Sequence, residues 1–293
     1  MNISNHAKGV LITLLGVIVI TPDTVLIRLV SADQWTNLFW RGALSGLAIL
    51  IVSGLIYRKS FPQQVRSMGK PGVWFTIAFT ASAVLFLLAV KHTTVANVLF
   101  IISISPLFSA LISRFLLKNV IHSRTWWAIG FTLVGISIIA WSSIQGNGGG
   151  GMWGDLAALA TAISMAIGFT IAHQHSDIDL VPAMGFANLL SGMIALPLAV
   201  PLSIIASDVV WLGLMGLIVV PVSFSLLTIG PRYIPAPEVG LFMLLEAVIG
   251  PYWVWLVIDE HPGNMTIIGG VIIILTLAVM NIFALLQGRH QRA

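Results

Sequence analysis

Gln145-Gly146-Asn147-Gly148-Gly149-Gly150-Gly151 is the most flexible stretch of this chain and falls at the middle of its 293 residues. Five long apolar runs precede it, near 9–30, 35–57, 72–90, 94–116 and 125–144. Five follow, near 153–173, 181–203, 209–230, 236–258 and 265–286. A helix needs roughly 17–25 apolar residues to cross a bilayer, and these runs have that length. Continuous runs such as Val271–Val279 favour helices over a closed barrel, whose strands alternate in polarity. The expected fold is an all-α integral membrane protein with ten transmembrane helices. Because each side of the glycine run holds an odd number of spans, a second copy of the first half would sit upside down relative to it.

The two sides do echo one another. Leu44-Ser45-Gly46-Leu47 in the second run resembles Leu190-Ser191-Gly192-Met193 in the seventh. Lys91-His92 and the helix after it parallel Arg232-Tyr233, and Lys118-Asn119 parallels Asp259-Glu260. The ordered set predicts two inverted five-helix repeats, over 1–144 and 153–293, joined by a glycine-rich linker over 145–152. Such repeats are a transporter device: two interchangeable halves open to either side of a site near the midplane.

Composition agrees. Only 8% of residues are charged, against about 25% in soluble domains. The net charge of +4 reflects a scarcity of carboxylates, not a groove for nucleic acid. With no cysteine, disulfides and thiolate metal sites are excluded. A cytoplasmic N-terminus puts Lys8, Arg58, Lys59, Arg66, Lys70, Arg114, Lys118 and Arg124 inside. The even span count then returns the C-terminus to the cytoplasm, and a bacterial inner membrane is the expected location. Tryptophans such as Trp74, Trp126, Trp153 and Trp255 fall near helix ends, as interfacial anchors do.

Charges at depth are costly unless they face protein or water. Counting about 1.5 Å per residue from opposite faces, Asp23 and Arg41 reach similar depth on consecutive helices, which predicts a pair. That pair is either a static bridge or a gate on the outer side of the cavity. Pro22 removes a backbone donor beside Asp23, so the first helix should kink there. Glu246 lies about 15 Å into the ninth span, near the midplane. It is either a structural carboxyl or one that takes a proton or an ammonium group. Its repeat counterpart is Ser105, beside Pro106 in the fourth span. Asn97 and Ser105 are read as facing the fourth-helix cavity, and Ser225 as a polar site in the eighth helix. Phe79 and Phe86, seven apart, share one face of the third helix, where packing or lipid contact competes with a cargo pocket.

The segment Lys91–Ala140, with Ser105-Pro106-Leu107-Phe108 inside it, resembles an EamA repeat of the drug/metabolite transporter superfamily. So does Gly230-Pro231-Arg232-Tyr233-Ile234-Pro235 followed by Leu244-Leu245-Glu246. The resemblance implies ten helices in two inverted repeats and transport of small metabolites, usually outward. Ala247 stands where the family often has proline, and Asn119 where an acidic residue is common.

No nucleotide-binding loop or serine–histidine–acid motif occurs, so neither an enzyme nor ATP-driven transport by this chain is expected, and no cofactor. His173 and His175 are two apart and point to different helix faces, which does not make a metal site. A cavity holding Asp23 or Glu246 together with Arg41 suits a zwitterion, so export of amino acids or related metabolites is expected, with or without a coupled proton. A multidrug or organic-cation exporter, or a metabolite uptake permease, is the alternative. Ten helices suffice to enclose a site, so no oligomer is required.

Overall fold

A computed structural model describes residues 5–117, 123–145, 151–234 and 236–290. Among them every regular element is a helix. The helices are α1 (Asn5–Ile20), α2 (Asp23–Leu29), α3 (Gln34–Tyr57), α4 (Phe61–Ser67), α5 (Gly69–His92), α6 (Val95–Ile102) and α7 (Ser105–Leu117). Beyond these lie α8 (Ser123–Ile144), α9 (Met152–Gln174), α10 (Val181–Ala195), α11 (Ala206–Leu214), α12 (Val220–Ile229), α13 (Ala236–Ile258) and α14 (Asn264–His290). Seven helical segments are long and apolar enough to cross a membrane, and three shorter apolar helices complete the ten. Trp74, Trp126, Trp127, Trp141 and Trp153 are exposed, as side chains facing lipid or its headgroups would be.

Three spans are interrupted, each with an identifiable cause. α1 and α2 form one span broken at Thr21-Pro22, where proline cannot bond the carbonyl of Ile18. The Thr21 hydroxyl takes over that carbonyl at 2.9 Å, so the break leaves it satisfied within the protein. The fourth span, expected to be continuous, breaks at Ser103-Ile104 between α6 and α7, with Pro106 in the first turn after the break. The eighth passes through a π-helical turn, Met215–Val219, ahead of Pro221. The seventh span, expected to reach residue 203, ends at Ala195, because Pro197 and Pro201 cannot continue a helix.

Span pairing reveals the symmetry. α3 packs on α10, α5 on α9, α8 on α14 and α1 on α12. In span numbers these are second with seventh, third with sixth, fifth with tenth and first with eighth. Exchanging the halves returns the same set, which defines a pseudo-twofold relation. With five spans per half, its axis lies in the membrane plane: two inverted five-helix repeats. Of the linker read from the sequence, residues 146–150 lie outside the described residues.

Both self-paired crossings are glycine contacts, the close approach that membrane helices use in place of hydrophobic burial. A Cβ at Gly46 would stand 2.5 Å from the Leu189 backbone nitrogen and 2.8 Å from the Gly185 carbonyl, and one at Gly135 would stand 2.8 Å from the Gly269 carbonyl. Gly46→Val is expected to cost about 1–3 kcal/mol through overpacking. It should lower the melting temperature of the purified protein. Gly54, on the same helix, has nothing within 4 Å of a Cβ, so Gly54→Ala should stay within about 0.5 kcal/mol of wild type.

Polar contacts concentrate at the two faces. On the face carrying the N-terminus (the near face), the Tyr57 hydroxyl donates to Asp179, Arg232 bonds the Ser176 carbonyl at 3.0 Å, and Lys8 lies over the Tyr233 ring. On the far face Asp208 accepts from the Ser31 hydroxyl and amide at 2.9 Å, and Arg28 pairs with Glu260 at 3.2 Å. Asp33 caps α3 through the amides of Trp35 and Thr36. Burial by itself raises its carboxyl, but hydrogen bonds from Thr36 and the Trp35 amide outweigh that and hold it below the ordinary carboxylate value.

Candidate functional site

A cavity opens between the halves, with about 630 Å³ of space between its lining atoms, its mouth included. The first four spans of each half line it: Ile20, Asp23, Arg41, Phe79, Phe86 and Leu99 from one, Thr161, Met165, Asn188, Phe224, Met243 and Glu246 from the other. The fifth span of each half contributes nothing to the lining and packs outside, α8 against α14. The walls are apolar and aromatic, with a few polar groups set into them, the usual make-up of a small-molecule site.

Asp23 and Arg41 meet. Nη2 of Arg41 donates to Asp23 Oδ2 at 2.8 Å and Nε reaches Oδ1 at 3.4 Å, with both side chains 3% exposed. The break at Pro22 positions this pair: it starts α2 at Asp23 and turns the carboxylate toward α3. The guanidinium carbon of Arg41 lies over the Phe86 ring, 5.7 Å from its centroid, a cation–π distance. Nη1 has no hydrogen-bond partner among the described residues, and Arg41 lines the cavity.

Glu246 lines the same cavity from α13. Among the described residues no hydrogen bond or ion pair holds its carboxyl, and the charge that bears on it is that of Asp23. An ionisable group left without a partner inside a membrane protein is a candidate for function.

Phe79 and Phe86 both line the cavity, so their shared face looks inward rather than to lipid. Phe79 also anchors an aromatic cluster, with ring centroids 4.6 Å from Phe75, 5.3 Å from Phe169 and 6.2 Å from Phe224. Three other candidates lie away from the lining. Ser105 is buried at the start of α7, and Ser225 is half-buried on α12 beside the lining residue Phe224. Asn97 belongs to a network on the far face. Its Nδ2 donates to Asp155 at 3.0 Å and to the Ser143 hydroxyl at 3.0 Å, and its Oδ1 accepts from Thr266 at 2.8 Å. Asp155, overlooked in the sequence, is the hub: it also accepts from Thr93 at 2.8 Å and from Ser143 at 2.6 Å. Its signal is an acid in the first turn of a helix, where the helix dipole favours negative charge. Asn188 was overlooked too, although it stands one turn before the echoed Ser191-Gly192.

Ten membrane helices in inverted halves around a central, partly polar cavity define a membrane transporter fold. The model of the EamA-like transporter family matches residues 7–141 and again 152–282, and the chain belongs to that family, within the drug/metabolite transporter superfamily. No curated protein matches it. A solved structure described only as "Crystal structure of protein" superposes with a TM-score of 0.63, covering 98% of this chain and 100% of its own at 17% identity, a likeness of fold alone.

Proposed function

We propose that the protein is a secondary transporter that exports amino acids or related zwitterions by alternating access around the central cavity. The observation that carries this reading is the unpartnered Glu246 carboxyl in the same cavity as the unused Nη1 of Arg41. A cargo ammonium would face Glu246, a cargo carboxylate would take Nη1, and the aromatic and methionine walls would hold its side chain. A second reading, an organic cation, draws support from the same walls, since Phe79, Phe86 and Phe224 offer faces to a cation. Two halves, 1–144 and 153–293, would rock against each other about the linker. The near face would be cytoplasmic in a bacterial inner membrane, and a monomer would suffice.

Counterflow in liposomes containing only the purified protein tests it. Vesicles loaded with unlabelled amino acids should accumulate labelled ones transiently, and monocarboxylates or simple amines should compete poorly. Competition by quaternary ammonium compounds without competition by amino acids selects the cation reading. Absence of counterflow for every amine-bearing compound overturns both.

A further inference from the structure

A second cavity opens on the far face between α2, α3 and α5, and it shares no lining residue with the central one. Its polar walls are Arg28, Lys91, Gln34 and Asn37, and Leu87 and Val90 are among its apolar ones. Asn37 is one helical turn from Arg41 on α3, and Ile27 is one turn from Asp23 on the span of α2. The far cavity therefore lies one helical turn beyond the Asp23–Arg41 pair, which lines the central one.

The far cavity carries an unmet chemical demand. Asn37 is 3% exposed, and its Oδ1 has no hydrogen-bond partner among the described residues. Its Nδ2 makes a single long contact, 3.4 Å, to the Ile27 carbonyl. A buried amide oxygen without a donor is destabilising, and a ligand N–H would relieve that cost. Lys91 has no ion-pair partner among the described residues and lines the same space. The carboxylates nearby are already engaged: Glu260 by Arg28 and the Val95 amide, Asp33 by Thr36 and Trp35, and Asp208 by Ser31. Both charged side chains in the lining of the cavity, Arg28 and Lys91, are cations, and no carboxylate is part of that lining.

We propose that this vestibule is a second, outer station for the cargo, binding small molecules that carry a carboxylate together with an N–H donor. The carboxylate lies against Lys91 and Arg28, and the donor bonds Asn37 Oδ1. The cargo class rests on the zwitterion reading of the central cavity, whereas the station is defined by its own residues. Cargo released past Asp23–Arg41 is held here before it leaves, so the pair can close behind it.

The chain has no cysteine, so a single introduced thiol reports cleanly. Gln34→Cys is labelled in proteoliposomes with an anionic sulfonatoethyl and a cationic trimethylammonioethyl methanethiosulfonate. Relative to their rates with a free thiol in solution, the anionic reagent should be favoured about tenfold over the cationic one, by electrostatic steering into the vestibule, and Lys91→Gln should remove most of that preference. Neutral amino acids should slow labelling. Acetate or ethylamine alone should do so far less, and Asn37→Leu should erase the difference between amino acids and acetate. Protection should persist in Glu246→Gln, which disables only the central cavity. Equal protection by acetate and amino acids, or protection unchanged by both Lys91→Gln and Asn37→Leu, overturns the proposal. Protection without counterflow keeps the station and removes the central reading; counterflow without protection does the reverse. Should Gln34→Cys fail to reach the membrane, Ala32→Cys, in the same lining, carries the comparison.

Discussion

Asp23→Asn is expected to leave the protein in the membrane and to lower flux at least about tenfold, the effect of roughly 1.4 kcal/mol on the transport barrier. The substitution preserves shape and one acceptor but strips the charge that Arg41 faces at 2.8 Å. Breaking a buried pair on one side typically costs about 3–5 kcal/mol, because the survivor is left uncompensated. Here a second carboxylate is at hand, since Glu246 lines the same cavity. Arg41 can turn to it, which moderates the loss of stability while consuming both groups offered to the cargo. Arg41→Gln should be worse for the fold, because it leaves Asp23 and Glu246 sharing one cavity without a cation. The double variant Asp23→Asn/Arg41→Gln separates the two meanings of the pair. Replacing both members removes the uncompensated charge, so the melting temperature should recover toward wild type. A pair that acts as gate and cargo contact stays inactive in that background. Recovery of flux alongside stability would reduce the pair to a static bridge. The readouts are initial counterflow rate per unit of reconstituted protein and melting temperature of the purified variants.

Why this pair could be read from the sequence, while the network a few residues away could not, is a matter of locality. Asp23 and Arg41 sit on consecutive antiparallel helices, so depth counted along each is enough to bring them level. Asn97, Ser143, Asp155 and Thr266 come from the fourth, fifth, sixth and tenth spans, and Thr93 from the turn between the third and fourth. Nothing in the sequence orders those four helices around one carboxylate. The glycine echo is a middle case. Leu44–Leu47 and Leu190–Met193 read as equivalents, and the structure uses their glycines equivalently: Gly46 packs on Gly185 and Leu189, and Gly192 on Phe39 and Ala43, as a twofold relation between the two helices requires. Which way a helix face points was poorly legible throughout. In a soluble helix polarity marks the outward side, but here lipid and core are both apolar, so Phe79 and Phe86 show a shared face without showing where it looks. The break at Ser103-Ile104 was missed for a similar reason: Pro106 signals a disturbed helix, but proline alone does not decide between a kink and two separate helices.

Glu246→Gln is expected to lower counterflow at least about tenfold at sub-saturating cargo, the effect of roughly 1.4 kcal/mol, while leaving the fold intact or firmer. The carboxyl has no hydrogen bond or ion pair among the described residues to lose, so the amide removes no contact. An isolated charged group in a low-dielectric cavity is destabilising, and neutralising it relieves that cost. The melting temperature should therefore hold or rise, which separates this variant from Gly46→Val and Arg41→Gln, where stability and flux fall together. Loss of flux at undiminished stability is the signature of a group kept for function. The same variant tests coupling. In an exchange of cargo for protons at this carboxyl, an imposed pH gradient drives wild-type flux and has no effect on residual flux in Glu246→Gln. In an exchange where Glu246 meets only the cargo ammonium, wild-type flux ignores the gradient and Glu246→Gln raises the cargo concentration needed for half-maximal counterflow. Glu246→Asp keeps the charge but withdraws it by one methylene, so more activity there than in Glu246→Gln assigns the effect to the carboxylate rather than to the shape of the cavity. Near-normal flux in Glu246→Gln would remove the carboxyl from transport and, with it, the main support for an amine-bearing cargo.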